Sequence, residues 1–135
     1  MKMNKIEHIG IAVKNIEESI LKYEALLQTN CYKRETVLSE HVETAFFKVG
    51  ESKIELLEAI NNQGPIATFI EKRGEGIHHI AYEVDDIEKE MARLNKEGFR
   101  LLNEEPKKGA DDKWVCFVHP KDAAGVLTEL VMSDR

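Results

Sequence analysis

The chain states one pattern twice. Ile6-Glu7-His8-Ile9-Gly10-Ile11-Ala12-Val13-Lys14-Asn15-Ile16-Glu17 and Ile77-His78-His79-Ile80-Ala81-Tyr82-Glu83-Val84-Asp85-Asp86-Ile87-Glu88 superpose at an offset of 71 residues. That offset lays His8 on His79, Ile9 on Ile80, Val13 on Val84, Ile16 on Ile87 and Glu17 on Glu88. Each copy alternates before it turns helical. In the first, Ile9, Ile11 and Val13 share a strand face that should take a helix. His8, Gly10 and Ala12 share the other, which is small, so His8 is expected to project over an open surface. Asn15 can cap the first helix, with Glu17 and Glu18 in its first turn. Ile16, Ile20, Tyr23 and Leu26–Leu27 give it helical spacing. Asp85 or Asp86 can cap the second helix. Ile87, Met91 and Leu94 repeat Ile16, Ile20 and Tyr23 at the same offset, and Gly98 suits its C-terminal end.

The segments after the two helices also match. Strands are predicted over 32–38, 42–49 and 53–58, with Gly50-Glu51-Ser52 as a tight turn. In the second half, strands are predicted over 99–102, 114–119 and 126–132, with a charged loop over 104–113. The fold class is therefore α+β: two tandem β-α-β-β-β modules, over about 4–60 and 76–133, joined by a linker over 61–75. Pro65 can sit at the start of a short helix there, with Ile66, Phe69 and Ile70 as its apolar stripe. A module of some 60 residues buries little surface alone. The two are expected to combine within one domain, 1–135, as a curved mixed sheet around a cleft.

Composition narrows the function. The net charge of −6 gives nucleic acid no electrostatic footprint. No apolar run approaches the roughly 18–20 residues that a membrane span needs, so no membrane partner is expected. The two cysteines, Cys31 and Cys116, lie among strand-like residues without zinc-motif spacing. They are expected to be reduced, packed thiols of a cytoplasmic protein.

The repeat also pairs polar residues. Ile54-Glu55-Leu56 and Thr128-Glu129-Leu130 each embed an acid in the last apolar strand of a module. A buried carboxylate without compensation costs several kcal/mol, roughly, or a large pKa shift. A cation removes that cost. His8 and Glu55 from one half, with His79 and Glu129 from the other, make a candidate ligand set for Co²⁺, Ni²⁺, Mn²⁺ or Zn²⁺. A single histidine at a strand start is commonly structural, and an acid in an edge strand is commonly solvated. Four at matching places favour a metal site.

The chain resembles the vicinal oxygen chelate superfamily, and within it the methylmalonyl-CoA epimerase family. Three stretches carry the resemblance: Gly76 to Tyr82, Glu105-Pro106-Lys107-Lys108-Gly109-Ala110, and His119-Pro120-Lys121 running to Leu130. It implies that His8, Glu55, His79 and Glu129 hold a divalent metal. It implies a 1,1-proton transfer on an acyl-CoA thioester, and a homodimer. Glu129 resembles one member of the family's proton-transfer pair, and Glu43 matches the position of the second. Glu43, Ala45 and Phe47 share a strand face, so Glu43 is expected to look into the cleft.

A glyoxalase I–type lyase, with 1,2-proton transfer on a hemithioacetal, is the main alternative, and Glu55 is compatible with it. The turn from His119 to Gly125 is longer than glyoxalases usually carry, which favours the epimerase. A drug-binding resistance protein of the same fold would need no metal ligands. An extradiol dioxygenase would need two histidines and one carboxylate. His78 faces away from His79 and suits packing. His41 is expected to be exposed, His119 to orient the last turn, and Trp114 to line core or cleft. Lys72, Arg73, Lys107, Lys108, Lys113 and Lys121 are candidate partners for coenzyme A phosphates.

Overall fold

The computed structural model describes residues 2–133. Its contacts divide the chain into two compact units. One is His8–His78, and the other joins the residues up to Glu7 with those from His79 onward. Strands β1 (Lys5–Ala12) and β5 (Gly76–Glu83) each begin in one unit and finish in the other, and the change falls at His8 and at His79.

The first unit holds most of β1, then α1 (Ile16–Leu27), β2 (Lys33–Val37), β3 (Val42–Val49), β4 (Ser52–Ala59) and α2 (Gly64–Arg73). Strand order is β2-β3-β4-β1. β1 runs parallel to β4, and the other pairs are antiparallel. Asn15 caps α1: its Oδ1 accepts from the Glu18 amide at 3.1 Å. Ile16, Ile20, Tyr23 and Leu27 pack on Val13, Ala45, Phe47 and Leu56. Leu26 does not join them and is 70% exposed. At 3.6 residues per turn, the stripe begun at Ile16 returns at position 27 rather than 26.

The stretch read as a linker forms a ten-residue helix, α2. Its Ile66 packs with Ala12, Val42 and Leu57. This corrects the expectation of an open surface around His8. Ala12 and His8 are 0% and 8% exposed, whereas Ile9 and Ile11 are only half-buried. The sheet of this unit is covered on both faces, by α1 on one and at the Ala12 end by α2 on the other.

The second unit holds the rest of β5, then α3 (Ile87–Lys96), β6 (Lys107–Lys108), β7 (Trp114–Val118) and β8 (Thr128–Met132). Its order, β5-β8-β7-β6, repeats that of the first unit, with β5 parallel to β8. Asp86, not Asp85, caps α3 by accepting from the Lys89 amide at 3.1 Å. Ile87, Met91 and Leu94 pack with Val84, Cys116, Val118 and Leu130. Gly98, at φ +94°, comes just after the helix end in a conformation glycine adopts readily. Residues ahead of His8 belong here: the Asn4 amide donates to the Glu83 carbonyl at 2.9 Å.

Two strand boundaries differ from expectation. Residues 99–102 make only one bridge, Leu101 to Val118. The Asn103 side chain accepts from the Phe117 amide at 2.9 Å, taking the place of a backbone carbonyl and ending the ladder. Pairing resumes at Lys107–Lys108, inside the stretch read as a loop. The last strand starts at Thr128. Val126 belongs to the preceding turn, its amide donating to the Ala123 carbonyl at 3.1 Å. No helix among the described residues is long and apolar enough to cross a membrane.

Candidate active site

In the first unit, parallel register sets Gly10 beside Glu55. His8, Gly10 and Glu55 therefore share a sheet face. Gly10 has no side chain to separate them, and His8 Nε2 lies 3.2 Å from Glu55 Oε1. In the second unit the small residue is Ala81, beside Glu129. His79 Nε2 lies 3.1 Å from Glu129 Oε1. Both pairs are buried, with no member more than 8% exposed. Behind each acid stands a phenylalanine: Phe46 opposite Glu55, and Phe117 opposite Glu129. The His79 and Phe117 rings meet edge-on, 6.1 Å between centroids.

Each pair fits one edge of a metal coordination shell. Nitrogen and oxygen ligands about 2.1 Å from a cation, at right angles, stand about 3 Å apart. The donors are the imidazoles and carboxylates that borderline divalent ions accept. The same separations also suit an imidazole N–H donating to a carboxylate.

The model of the glyoxalase/bleomycin resistance protein/dioxygenase superfamily matches residues 7–117. The mitochondrial methylmalonyl-CoA epimerase of Homo sapiens is 37% identical over 129 residues, 95% of this chain and 73% of that protein. The ethylmalonyl-CoA/methylmalonyl-CoA epimerase of Cereibacter sphaeroides is 39% identical over 130 residues, 95% of this chain and 97% of that one. A Streptomyces coelicolor methylmalonyl-CoA epimerase variant, in complex with 2-nitronate-propionyl-CoA, superposes with a TM-score of 0.95. It is 33% identical and covers 99% of this chain and 100% of that one.

The chain belongs to the methylmalonyl-CoA epimerase family. It is an enzyme of the epimerase class within that superfamily, and its α+β fold is the family's fold.

Among the family's expected proton-transfer groups, Glu43 stands apart. Ala45 and Phe47, which share its face of β3, pack under α1. The face carrying His8 and Glu55 shows Val42, Thr44 and Phe46 instead, as the register of β3 on β4 requires. Glu43 pairs with Arg34, which also binds Glu17 in the first turn of α1 at 2.8 Å. The expectation that Glu43 looks toward the metal ligands is corrected here: its strand face is the helix-covered one. Both carboxylates hold the Arg34 guanidinium well above its ordinary range. Arg34 in turn lowers the Glu17 carboxyl, chiefly by hydrogen bonding.

The remaining candidates take ordinary places. The His78 ring packs edge-on to Phe69, with 5.1 Å between centroids. His41 is half-buried, not exposed, and its Nδ1 lies 3.4 Å from Asn61 Nδ2. His119 orients the last turn by accepting from the Lys121 amide at 3.1 Å. Trp114 packs against the α3 cluster with Lys108 Nζ over its ring at 4.7 Å. Lys72 and Arg73 lie in the last turn of α2. Cys31 and Cys116 are free thiols. Burial, helped by the charge of Glu129, pushes the Cys116 thiol up to about 11.

Sequence reasoning passed over Phe46 and Phe117. Their signal was present, since 46 and 117 also stand 71 residues apart.

Proposed function

We propose that the protein epimerises methylmalonyl-CoA by a 1,1-proton transfer, with a divalent cation (Co²⁺, Ni²⁺, Mn²⁺ or Zn²⁺) held jointly by His8, Glu55, His79 and Glu129. One observation carries this reading. Each repeat supplies a buried imidazole–carboxylate pair, at 3.2 Å in the first and 3.1 Å in the second. The proposed substrate is taken from the relatives, all three named for methylmalonyl-CoA and one of them also for ethylmalonyl-CoA.

A cation bound there supplies positive charge for the oxygen on which an enolate builds up, and a fixed point for substrate oxygens. The chain supplies the rest. Inversion needs a group that takes the α-proton on one side and a group that returns one on the other. Glu129 is proposed for one side. The second group is sought on the face of His8 and Glu55. Glu35 stands opposite Thr44 on that face, and Glu40 is half-buried in the turn leading into Val42.

Free thiols at Cys31 and Cys116 suit a cytoplasmic setting. The family resemblance implies a homodimer, which sedimentation would measure.

The test sets two reactions side by side: deuterium uptake at the α-carbon of methylmalonyl-CoA in D₂O, and turnover of methylglyoxal–thiol hemithioacetals. Exchange with the thioester is expected. Activity on the hemithioacetals alone would make the protein a glyoxalase-type lyase.

A further inference from the structure

Strands β3 and β7 correspond at the offset of 71, yet their side chains have little in common. Between 42–49 and 113–120 the one identity is Phe46 with Phe117. Around it Thr44 stands against Val115, Ala45 against Cys116 and Phe47 against Val118. The shared phenylalanine is also the residue opposite the acid: Phe46 opposite Glu55, and Phe117 opposite Glu129. A side chain that only fills space tolerates exchange for another apolar one at modest cost. Phe47 and Val118 do so, and both are buried. Something other than filling keeps the ring at 46 and 117.

The second unit shows what the ring touches. Phe117 is the direct neighbour of Glu129 on β7, and His79 stands two residues before Ala81, the neighbour of Glu129 on β5. All three side chains share one sheet face. Their contacts close a triangle. His79 Nε2 lies 3.1 Å from Glu129 Oε1. Residues directly opposite on antiparallel strands, as Glu129 and Phe117 are, hold their Cβ atoms about 5 Å apart. The Phe117 and His79 rings meet at 6.1 Å and 87°, the edge-to-face arrangement that aromatic rings favour. An imidazole turns easily about its χ2 torsion. A ring packed at right angles against it narrows that freedom and keeps Nε2 toward the carboxylate. Phe117 itself is seated on Ala81, Val115 and Val131.

We infer that Phe117 is a positioning residue for the His79–Glu129 pair: its ring fixes the imidazole with Nε2 at the carboxylate, and Phe46 holds the corresponding place behind Glu55. Phe117 acts through His79 and has no place in the proton transfer. The positioning is a property of the chain alone. Its consequence for cation binding rests on the proposed role of His79 and Glu129 as ligands. Removing a residue that orients a metal ligand typically weakens binding about 10–100-fold.

The test replaces Phe117 by leucine, which stays apolar and lacks the ring, and by tyrosine, which keeps the ring. Phe99→Leu, in the α3 cluster, is the control for lost stability. Carbon relaxation in the metal-free, histidine-labelled protein reads the order parameter of the His79 imidazole. It is expected to fall by about a third in Phe117→Leu, from the rigid toward the flexible range, and to hold in Phe117→Tyr and Phe99→Leu. Calorimetric titration with Co²⁺ reads the consequence. The dissociation constant should rise about tenfold in Phe117→Leu and stay within about twofold of wild type in the other two. An unchanged order parameter in Phe117→Leu overturns the positioning role. So does unchanged Co²⁺ affinity in that variant when wild type binds the ion. Equal losses in Phe117→Leu and Phe117→Tyr overturn it too, because the ring would then not be what matters. An equal loss in Phe99→Leu overturns it by making the effect one of general stability. A wild type that binds no Co²⁺, with the His79 ring still loosened only in Phe117→Leu, overturns the four-ligand reading and keeps the positioning role.

Discussion

Glu43 and Glu55 lie on adjacent antiparallel strands and point to opposite faces of one sheet. Glu55 stands opposite Phe46 and shares its face with His8, while Glu43 stands opposite Glu58 and shares its face with Ala45 and Phe47. A period of two separates the acids cleanly. It puts Glu55 beside His8 and Glu43 at the seam beneath α1.

Glu43→Gln is therefore expected to keep α-proton exchange within about threefold of wild type. Its loss is the pairing with Arg34, which at a partly exposed site is worth about 0–1 kcal/mol. Removing a true proton-transfer group typically costs about 10²–10⁴ in rate. Glu129→Gln should fall in that range, and so should one of Glu35→Gln and Glu40→Gln. Abolished exchange in Glu43→Gln with bound metal retained would restore it to the mechanism.

Metal content gives an independent reading of the His–Glu pairs. His8→Ala and His79→Ala should each come through dialysis without tightly held divalent ion, while wild type keeps about one equivalent. Chelation should stop exchange, and Co²⁺ or Ni²⁺ should restore it. Ligand in about thousandfold excess over its dissociation constant stabilises the folded state by about 4 kcal/mol, so the melting temperature should fall on chelation. Full metal content in His79→Ala would break up the proposed four-ligand set.

The repeat makes equal demands on its two helices. Ile16 and Ile87 are 2% and 1% exposed and stand at corresponding positions. Either changed to alanine should cost about 2–5 kcal/mol in a urea titration. Leu26→Ala, at a position 70% exposed, should cost less than about 0.5 kcal/mol. A large loss at Leu26 would mean that this side of α1 is covered in solution.

Acid should loosen the last turn. Arg100 donates to both Asp122 oxygens, at 2.8 Å and 3.0 Å. It thereby holds the carboxyl well below the usual carboxylate range. On acidification the unfolded chain takes up this proton first. The stabilisation is complete above the unfolded value, about 3.9, and fades as pH falls through the lower folded value. Denaturation midpoints measured from pH 6 to pH 2.5 should drop less steeply in Asp122→Asn than in wild type. Identical slopes would show that the ion pair does not form in solution.

Much of the fold was legible because local chemistry and the repeat agree. Asn15 and the Asp85–Asp86 pair announce helix starts, and Ile87, Met91 and Leu94 repeat the spacing of the first helix. Val42–Val49 forms the predicted strand. The features that stayed hidden depend on partners distant in sequence. Alternation along β3 defines two faces, but both carry buried apolar residues: Val42 and Phe46 against Ala45 and Phe47. Only the packing of α1 on one of them shows where Glu43 goes. The face of His8 looked bare because its cover, Ile66 and Glu55, comes from segments some fifty residues away. The short strand Lys107–Lys108 owes its place to Asn103 accepting from Phe117, which no periodicity encodes.

The division of the chain at His8 and His79 bears on its ancestry. A duplicated gene segment first yields two interchangeable copies, and either can be lost. Here the residues up to Glu7 are lodged with the second copy, and Gly76–His78 with the first. A fragment cut within α2 would separate the second copy from its N-terminal segment. Such a break also strips Gly76–His78 from the first copy, so neither fragment carries its whole unit.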